Sequence, residues 1–473
     1  MAVFFIVSIV TYRYFDINER GLLSIFWATF FFIELFIIEF GVTVQAKIPD
    51  QIIRKAKFET QNTIFSSYII RALSAFIIGF FIFIFSEKLA LIIAPSSIDY
   101  LRLDFVLKAA SLFFICNVLF GPIDHSILIG FQKYEKMKLF YNMKIAPLLI
   151  SALLTLALKE TPEFMILSYM IIRLVLQFWI GWSSYFLLKK SNDFSLIGIK
   201  INFTYIIYIC KHGFPIWISS LLAASLPHIA ILILAQTSNL ESIAQYSLAM
   251  SLFMAGIAFL SMLDGWLVPK LSEQKSYSKI DIYNYLDTYF KMYFYASSLF
   301  AILLILLSQV GVKIIAGSGY EESVILLIVL CCFMNFRTLT IFRNVIVVFS
   351  STNIIPIYVV CKFIIEIIIM LLAVPKFGFY GILIAQFISF LFIGQLWVSR
   401  TLSSVFNIKK ISKLFFSKYF YMCSLSSLLI SVLLYLFVSG YSLLFYSLSI
   451  LFLVSCIILI FKNKENFKKI LAI

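Results

Sequence analysis

Charge is scarce in this chain. Of 473 residues only 13% are Asp, Glu, Lys or Arg, while 62% are hydrophobic and the mean hydropathy is +1.02. A soluble domain carries about a quarter of its residues as charges. No soluble fold of this length hides so much apolar surface, so lipid must be the solvent for much of it. The seven cysteines lie in or beside apolar segments, and Cys331-Cys332 are adjacent rather than spaced as metal ligands. They read as small core residues and give no sign of a disulfide framework. No small-residue cleavage site follows the first apolar run, so a cleavable signal peptide is not expected. A phosphate-cradling G-x-x-x-x-G-K-[ST] loop is missing, as is any convincing catalytic triad or metal cluster. The chain is therefore expected not to be an enzyme, not to hydrolyse ATP and to hold no cofactor beyond a coupling proton or sodium ion.

What is present is a series of apolar runs. A bilayer-spanning helix needs about 20 apolar residues, and on that measure fourteen segments are expected. They cover 2–13, 21–44, 67–86, 107–130, 143–158, 164–188, 212–235, 243–267, 290–312, 323–348, 355–374, 378–399, 416–438 and 441–461. Residues 2–13 are too few to span unless the helix is tilted or further residues precede it. The expected fold is an all-α integral membrane protein.

The net charge of +15 does not point to nucleic acid. Lysines and arginines concentrate in alternate connections: 45–66, 131–144, 189–211, 268–291, 400–418 and the tail after 461. The opposite connections carry few: Arg13, Arg20, Lys88, Arg102, Lys108, Lys159, Lys313 and Lys376. That roughly threefold bias places the basic loops and both termini in the cytoplasm, against anionic headgroups. The outward loops are short, which argues against glycan polymerases and ligases with large external catalytic loops.

The polar seam Lys189–Lys211 separates halves that look alike. The turn TYRYFDINERGLLSIFW (11–27) matches ILAQTSNLESIAQYSLAM (233–250), and IEFGVTVQAKIPDQ (38–51) matches MLDGWLVPKLSEQ (262–274). The offset is about 220–225 residues, and repeated halves are a transporter signature with the substrate site at their interface. The expected organisation is an N-lobe (1–188), a cytoplasmic linker (189–211), a C-lobe (212–399) and two further helices with a basic tail (400–473).

On YFDINERGLLS (14–24), EFGVTVQAKI (39–48), GFQKYEKMK (130–138) and LVPKLSE (267–273), the chain resembles the O-antigen and polysaccharide flippases. These belong to the multidrug/oligosaccharidyl-lipid/polysaccharide (MOP) exporter superfamily. The Gly-Pro usual in that family's first turn is absent; only Gly21 follows the acidic turn. The resemblance implies a MATE-like core of two six-helix lobes, here with two extra C-terminal helices. It also implies a lipid-linked oligosaccharide as cargo in the bacterial inner membrane. Membrane lipids, a glycan polymerase and a chain-length regulator are the partners it suggests.

Ionisable residues inside a bilayer are functional candidates by default. Arg71, Arg173, Arg337 and Arg343 would give a cavity that holds a pyrophosphate through their planar forks; snorkelling to headgroups is the alternative. Glu34 and Glu39 are candidates to partner Arg173, to bind a coupling cation or proton, or to fix packing as a buried ion pair. Asp124 and His125 follow Gly121-Pro122, where a kink would serve gating or a proton relay, against a plain packing contact. Pro227-His228 and Asp264-Gly265 are read in the same way. Lys362 and Glu366, four apart, are expected to form a local pair. Export of cationic drugs, transport of the lipid-linked peptidoglycan precursor and a membrane glycan polymerase are the rival readings.

Overall fold

The computed structural model describes residues 2–94, 100–121, 125–131, 145–190, 202–273, 279–334 and 354–389, with isolated positions between 426 and 454. The described residues are α-helical, with no β-strand among them. In chain order the helices are α1 (Ala2–Tyr14), α2 (Ile17–Glu34), α3 (Gly41–Ile53), α4 (Lys57–Ile93), α5 (Tyr100–Phe120), α6 (His125–Gly130) and α7 (Ala146–Leu158). They continue with α8 (Pro162–Lys190), α9 (Phe203–Thr237), α10 (Leu240–Glu273), α11 (Lys279–Ala316), α12 (Glu321–Met334), α13 (Ile354–Phe377) and α14 (Phe379–Ser389). Among the described residues six stretches are long and apolar enough to cross a membrane: 57–93, 100–120, 162–190, 203–237, 286–316 and 357–377. The segments expected at 416–438 and 441–461 lie almost wholly outside the described residues.

Helix α4 shows why these helices suit lipid. Leu73, Phe76, Ile77, Phe80, Phe81 and Ile84 are exposed, while Thr63, Ser66, Ser74, Ala75, Gly79 and Ser86 are buried. Exposed aromatics of that density are intolerable in water and ordinary in a bilayer. The small inward residues let neighbouring helices approach closely, which is how membrane helices pack without a hydrophobic driving force. At Gly79 a Cβ would stand 2.8 Å from Ile115 and 2.9 Å from the Ser111 carbonyl on α5.

The chain divides into two compact units, residues 1–243 and 244–473. In the first, α1 packs on α7, α8 packs on α7 and α5, and α4 packs along α5. Helix α9 lies on α2, α3 and α4 within this unit. In the second, α11 packs on α12 and α13 on α14. Glycines 317 and 319 turn the chain between α11 and α12 with φ of +86° and +92°, a region that other residues rarely adopt. Buried Gln245 at the start of α10 ties down that turn. Its Nε2 donates to the Gly319 carbonyl (2.7 Å), and its Oε1 accepts from the Ser323 amide (2.9 Å).

The two turns paired by the repeat are both helix caps. Asp16 accepts from the Glu19 amide (2.7 Å) and Glu19 accepts from the Asp16 amide (3.3 Å), a capping box that starts α2. Asn239 accepts from the Ser242 amide (2.9 Å) and starts α10 in the corresponding way. Between the two starts Gly21 makes the closest approach. A Cβ there would lie 2.1 Å from the Leu240 carbonyl oxygen.

Two expected helices are interrupted. The segment 21–44 is not one helix: α2 ends at Glu34, residues 35–40 are non-helical, and α3 begins at Gly41. The segment 107–130 starts earlier, at Tyr100, and breaks after Phe120 at Gly121. The halves beyond the breaks, α3 and α6, pack on one another. Their core holds Val44, Ile48, Ile127, Leu128 and Phe131.

A Gly21→Ala variant is expected to lose about 1–3 kcal/mol through overpacking against backbone that cannot yield. The check is a lowered thermal unfolding midpoint of the detergent-solubilised protein, set against Gly311→Ala, where a Cβ would meet nothing.

Candidate functional site

The break in the second expected helix is the centre of the site. Inside a bilayer every backbone amide and carbonyl needs a partner in the protein, so a non-helical stretch survives only where other groups serve it. Here Phe36 and Ile37 amides fold back to the carbonyls of Ile33 (3.0 Å) and Glu34 (3.2 Å). The Ile38 amide donates to Ser74 Oγ on α4 at 3.0 Å, and that hydroxyl donates in turn to the Arg71 carbonyl at 2.9 Å. Helix α9 closes over the break without a side chain in the way. At Gly213 a Cβ would lie 2.5 Å from the Phe40 ring.

Charges flank the break. Glu34, the last residue of α2, holds Arg173 of α8 through both carboxylate oxygens: Oε1 accepts from Nη2, and Oε2 from Nη1 at 3.2 Å. This two-pronged bond is the strong form of a carboxylate–guanidinium contact. Arg173 also donates to Tyr169 Oη at 3.0 Å and lies 5.4 Å from the Phe113 ring centroid. A cation at the end of α2 meets the negative end of the helix dipole as well as the carboxylate. Arg173 lies eleven residues into α8, roughly 17 Å along the helix axis, which is bilayer depth.

Glu39 precedes the start of α3, and its Oε1 lies 4.0 Å from Arg71 Nη1. Glu34 and Arg173 are partly shielded rather than sealed, with 26% and 18% of their side-chain surfaces exposed. Around them Trp27, Phe30, Phe31, Phe113, Phe114 and Tyr169 make a packed aromatic cluster. His228 of α9 sits against Phe31 with ring centroids 5.9 Å apart.

The structure thus brings together four of the residues singled out in the sequence, Glu34, Glu39, Arg71 and Arg173, and pairs each arginine with a glutamate. Arg337, Arg343 and Asp124 lie outside the described residues. His125 opens α6 and Asp264 lies within α10, but their side chains are outside the description. At the second break a Cβ on Gly121 would stand 2.2 Å from Gln177 Nε2, so α8 reaches this interruption too. Lys362 and Glu366 form the expected local pair at 2.6 Å, and Ser389 of α14 donates to the same carboxylate at 3.0 Å. Ser74 and Tyr169 were not foreseen. A serine or tyrosine in an apolar helix carries no signal until its neighbour is known.

No protein-family model matches the chain, and no curated protein matches it. Solved structures do. The lipid II flippase MurJ, in an inward closed conformation, is similar over 98% of this chain and 97% of its own, at 16% identity and a TM-score of 0.69. An inward-facing multidrug resistance MATE family transporter of the MOP superfamily is similar over 86% of this chain and 95% of its own, at 13% identity and TM-score 0.62. A mutant of the Vibrio cholerae MATE transporter VcmN follows over 87% and 95%, at 10% identity and TM-score 0.54. At these identities the likeness is one of fold. The chain is an all-α, multi-pass membrane protein with the fold of MOP-superfamily transporters.

The Glu34–Arg173 pair predicts a thermodynamic cycle. Glu34→Gln and Arg173→Met should each lower stability, and the double variant should cost less than their sum by about 0.5–3 kcal/mol, because neither charge is then left alone. Thermal unfolding of the four purified proteins measures it.

Proposed function

We propose that this protein is a secondary transporter of a lipid-linked oligosaccharide, flipping a polyprenyl-pyrophosphate-linked glycan from the cytoplasmic to the outer leaflet of the bacterial inner membrane. The observation that carries the reading is the extent of the likeness to a lipid flippase. It spans 98% of this chain, whereas the MATE exporters span 86–87%. Partly open arginine–glutamate pairs at a broken helix support it. Arg173 and Arg71 offer phosphate-binding forks, and Glu34 and Glu39 hold those forks until cargo arrives. Exchanging the carboxylate for pyrophosphate keeps each arginine paired throughout, which avoids a bare charge in low dielectric. Arg337 and Arg343 would extend the cationic set. A released Glu34 or Glu39, with Asp124, His125 and Asp264, provides places for a coupling proton or sodium ion. The two lobes, 1–188 and 212–399, would open alternately with the basic loops and both termini in the cytoplasm. A glycan polymerase and a chain-length regulator are the proposed partners.

The peptidoglycan lipid precursor is the second reading, favoured by the same match to the lipid II flippase. Export of cationic drugs ranks below both, since a cation gains nothing from a pocket whose glutamates are already held by arginines.

Complementation separates these readings. In a strain lacking its O-antigen or capsule flippase, the protein should restore surface polysaccharide. Arg173→Ala and Glu34→Ala, at matched membrane levels, should each lower it at least about tenfold, the loss of one charge-assisted contact. Rescue of a strain depleted of its lipid II flippase would instead select the second reading. Drug resistance without restoration of either glycan would refute both.

A further inference from the structure

A second polar site lies in the first unit, apart from the broken helix. Residues of α3, α4 and α9, with Arg54 between α3 and α4, line a half-open cavity of about 390 Å³. One group of its lining is internally satisfied. Arg54 is held by Asp50 (2.5 Å) and lies 3.8 Å from Glu59, so that cation and those carboxylates answer one another. This pairing also holds the guanidinium above its ordinary value.

Two other lining groups are not satisfied. The Nζ of Lys47 is buried, has no hydrogen-bond partner among the described residues, and rests 3.1 Å from the ring centroid of Tyr208. Burial pulls this ammonium below the usual lysine value, the mark of a cation removed from water without a counter-ion. Gln51, one turn further along α3, donates from Nε2 to Thr63 Oγ1 at 2.9 Å. Its Oε1 is then left buried without a partner. An ammonium held only by an aromatic face and an acceptor without a hydrogen bond, on one helix face, are both better served by a ligand that supplies their complements.

The complement of Lys47 is an anion, and that of Gln51 is a hydroxyl or amide donor. A bare anion meets the first and is repelled by the second. A phosphate carried on a hydroxylated ring meets both, and the Tyr208 ring offers a flat face of the kind sugars stack on.

We propose that this cavity binds a sugar-phosphate group. Lys47 leaves the Tyr208 ring to meet the phosphate oxygens, and Gln51 accepts from a sugar hydroxyl. The group can come from a soluble sugar phosphate or from a phospholipid with a polyol headgroup. As a first docking point for lipid-linked cargo the site rests on the transport reading above; as a sugar-phosphate site it does not.

The test uses the full chain in phosphatidylcholine nanodiscs with three probes: glucose-1-phosphate, inorganic phosphate, and phosphatidylinositol incorporated in the disc. Native mass spectrometry and titration read the bound fraction. Wild type should bind glucose-1-phosphate in preference to inorganic phosphate. Lys47→Met should weaken that binding at least about tenfold, while Lys47→Arg retains it. Gln51→Leu should erase the preference for the sugar. Equal binding by wild type and Lys47→Met, or no preference over inorganic phosphate, overturns the proposal. Lys47-dependent retention of phosphatidylinositol supports the lipid source; dependence confined to glucose-1-phosphate supports the soluble source and removes the docking role. Failed glycan complementation alongside Lys47-dependent binding would sink the transport reading and leave this site standing.

Discussion

A polypeptide that stops being helical inside a bilayer must replace the hydrogen bonds it gives up, and residues 35–40 meet that constraint. The Ser74 hydroxyl takes the Ile38 amide, and the free ends of α2 and α3 meet charges of suitable sign, Arg173 at the first and Glu39 just before the second. Much of the first unit is arranged to serve this. Gly213 lets α9 approach Phe40, Tyr169 holds the guanidinium from a second side, and Phe113 of the aromatic cluster packs beside it. Such interruptions are stable only next to protein or a water-filled cavity, which is why they mark transport sites.

The arginines at this site are not a bare cationic field. Arg173 and Arg71 each have a carboxylate at hand. On the proposed transport reading, a substrate anion would compete with an internal one, and binding would be an exchange of partners rather than a simple capture. On that reading, an arginine that turned toward cargo would release its glutamate, and one pair of residues would couple cargo to an ion. The fold is shared by a lipid flippase and a multidrug resistance transporter alike, because fold does not set cargo.

Much of this architecture is legible in the sequence. Apolar runs at 2–13, 143–158, 164–188 and 355–374 fall within a few residues of α1, α7, α8 and α13, because hydrophobic length is the dominant constraint in lipid. Boundaries fail where a helix continues into water. Helix α4 runs from Lys57, ten residues ahead of the expected start, since KFETQNTIFS is polar yet helix-compatible. The interruption at Gly121 is marked by the Gly-Pro that follows Phe120. That at 35–40 is invisible, because LFIIEF is as apolar as a continuous helix and its breakage depends on Ser74, a residue 36 positions away. The Glu34–Arg173 contact was one of several open partnerships in the sequence. Only the packing of α2 on α8 selects it.

The central claim, transport of a lipid-linked glycan through exchange at the Glu34–Arg173 pair, is tested most directly in proteoliposomes of the purified protein. A fluorescent polyprenyl-pyrophosphate oligosaccharide is placed in one leaflet, and its arrival in the other is followed by a membrane-impermeant quencher. The account predicts movement by wild type that a pH or sodium gradient accelerates, with loss of that gradient dependence in Glu34→Gln. Absence of glycan-lipid movement, with a fluorescent organic cation transported by the same vesicles, would contradict it.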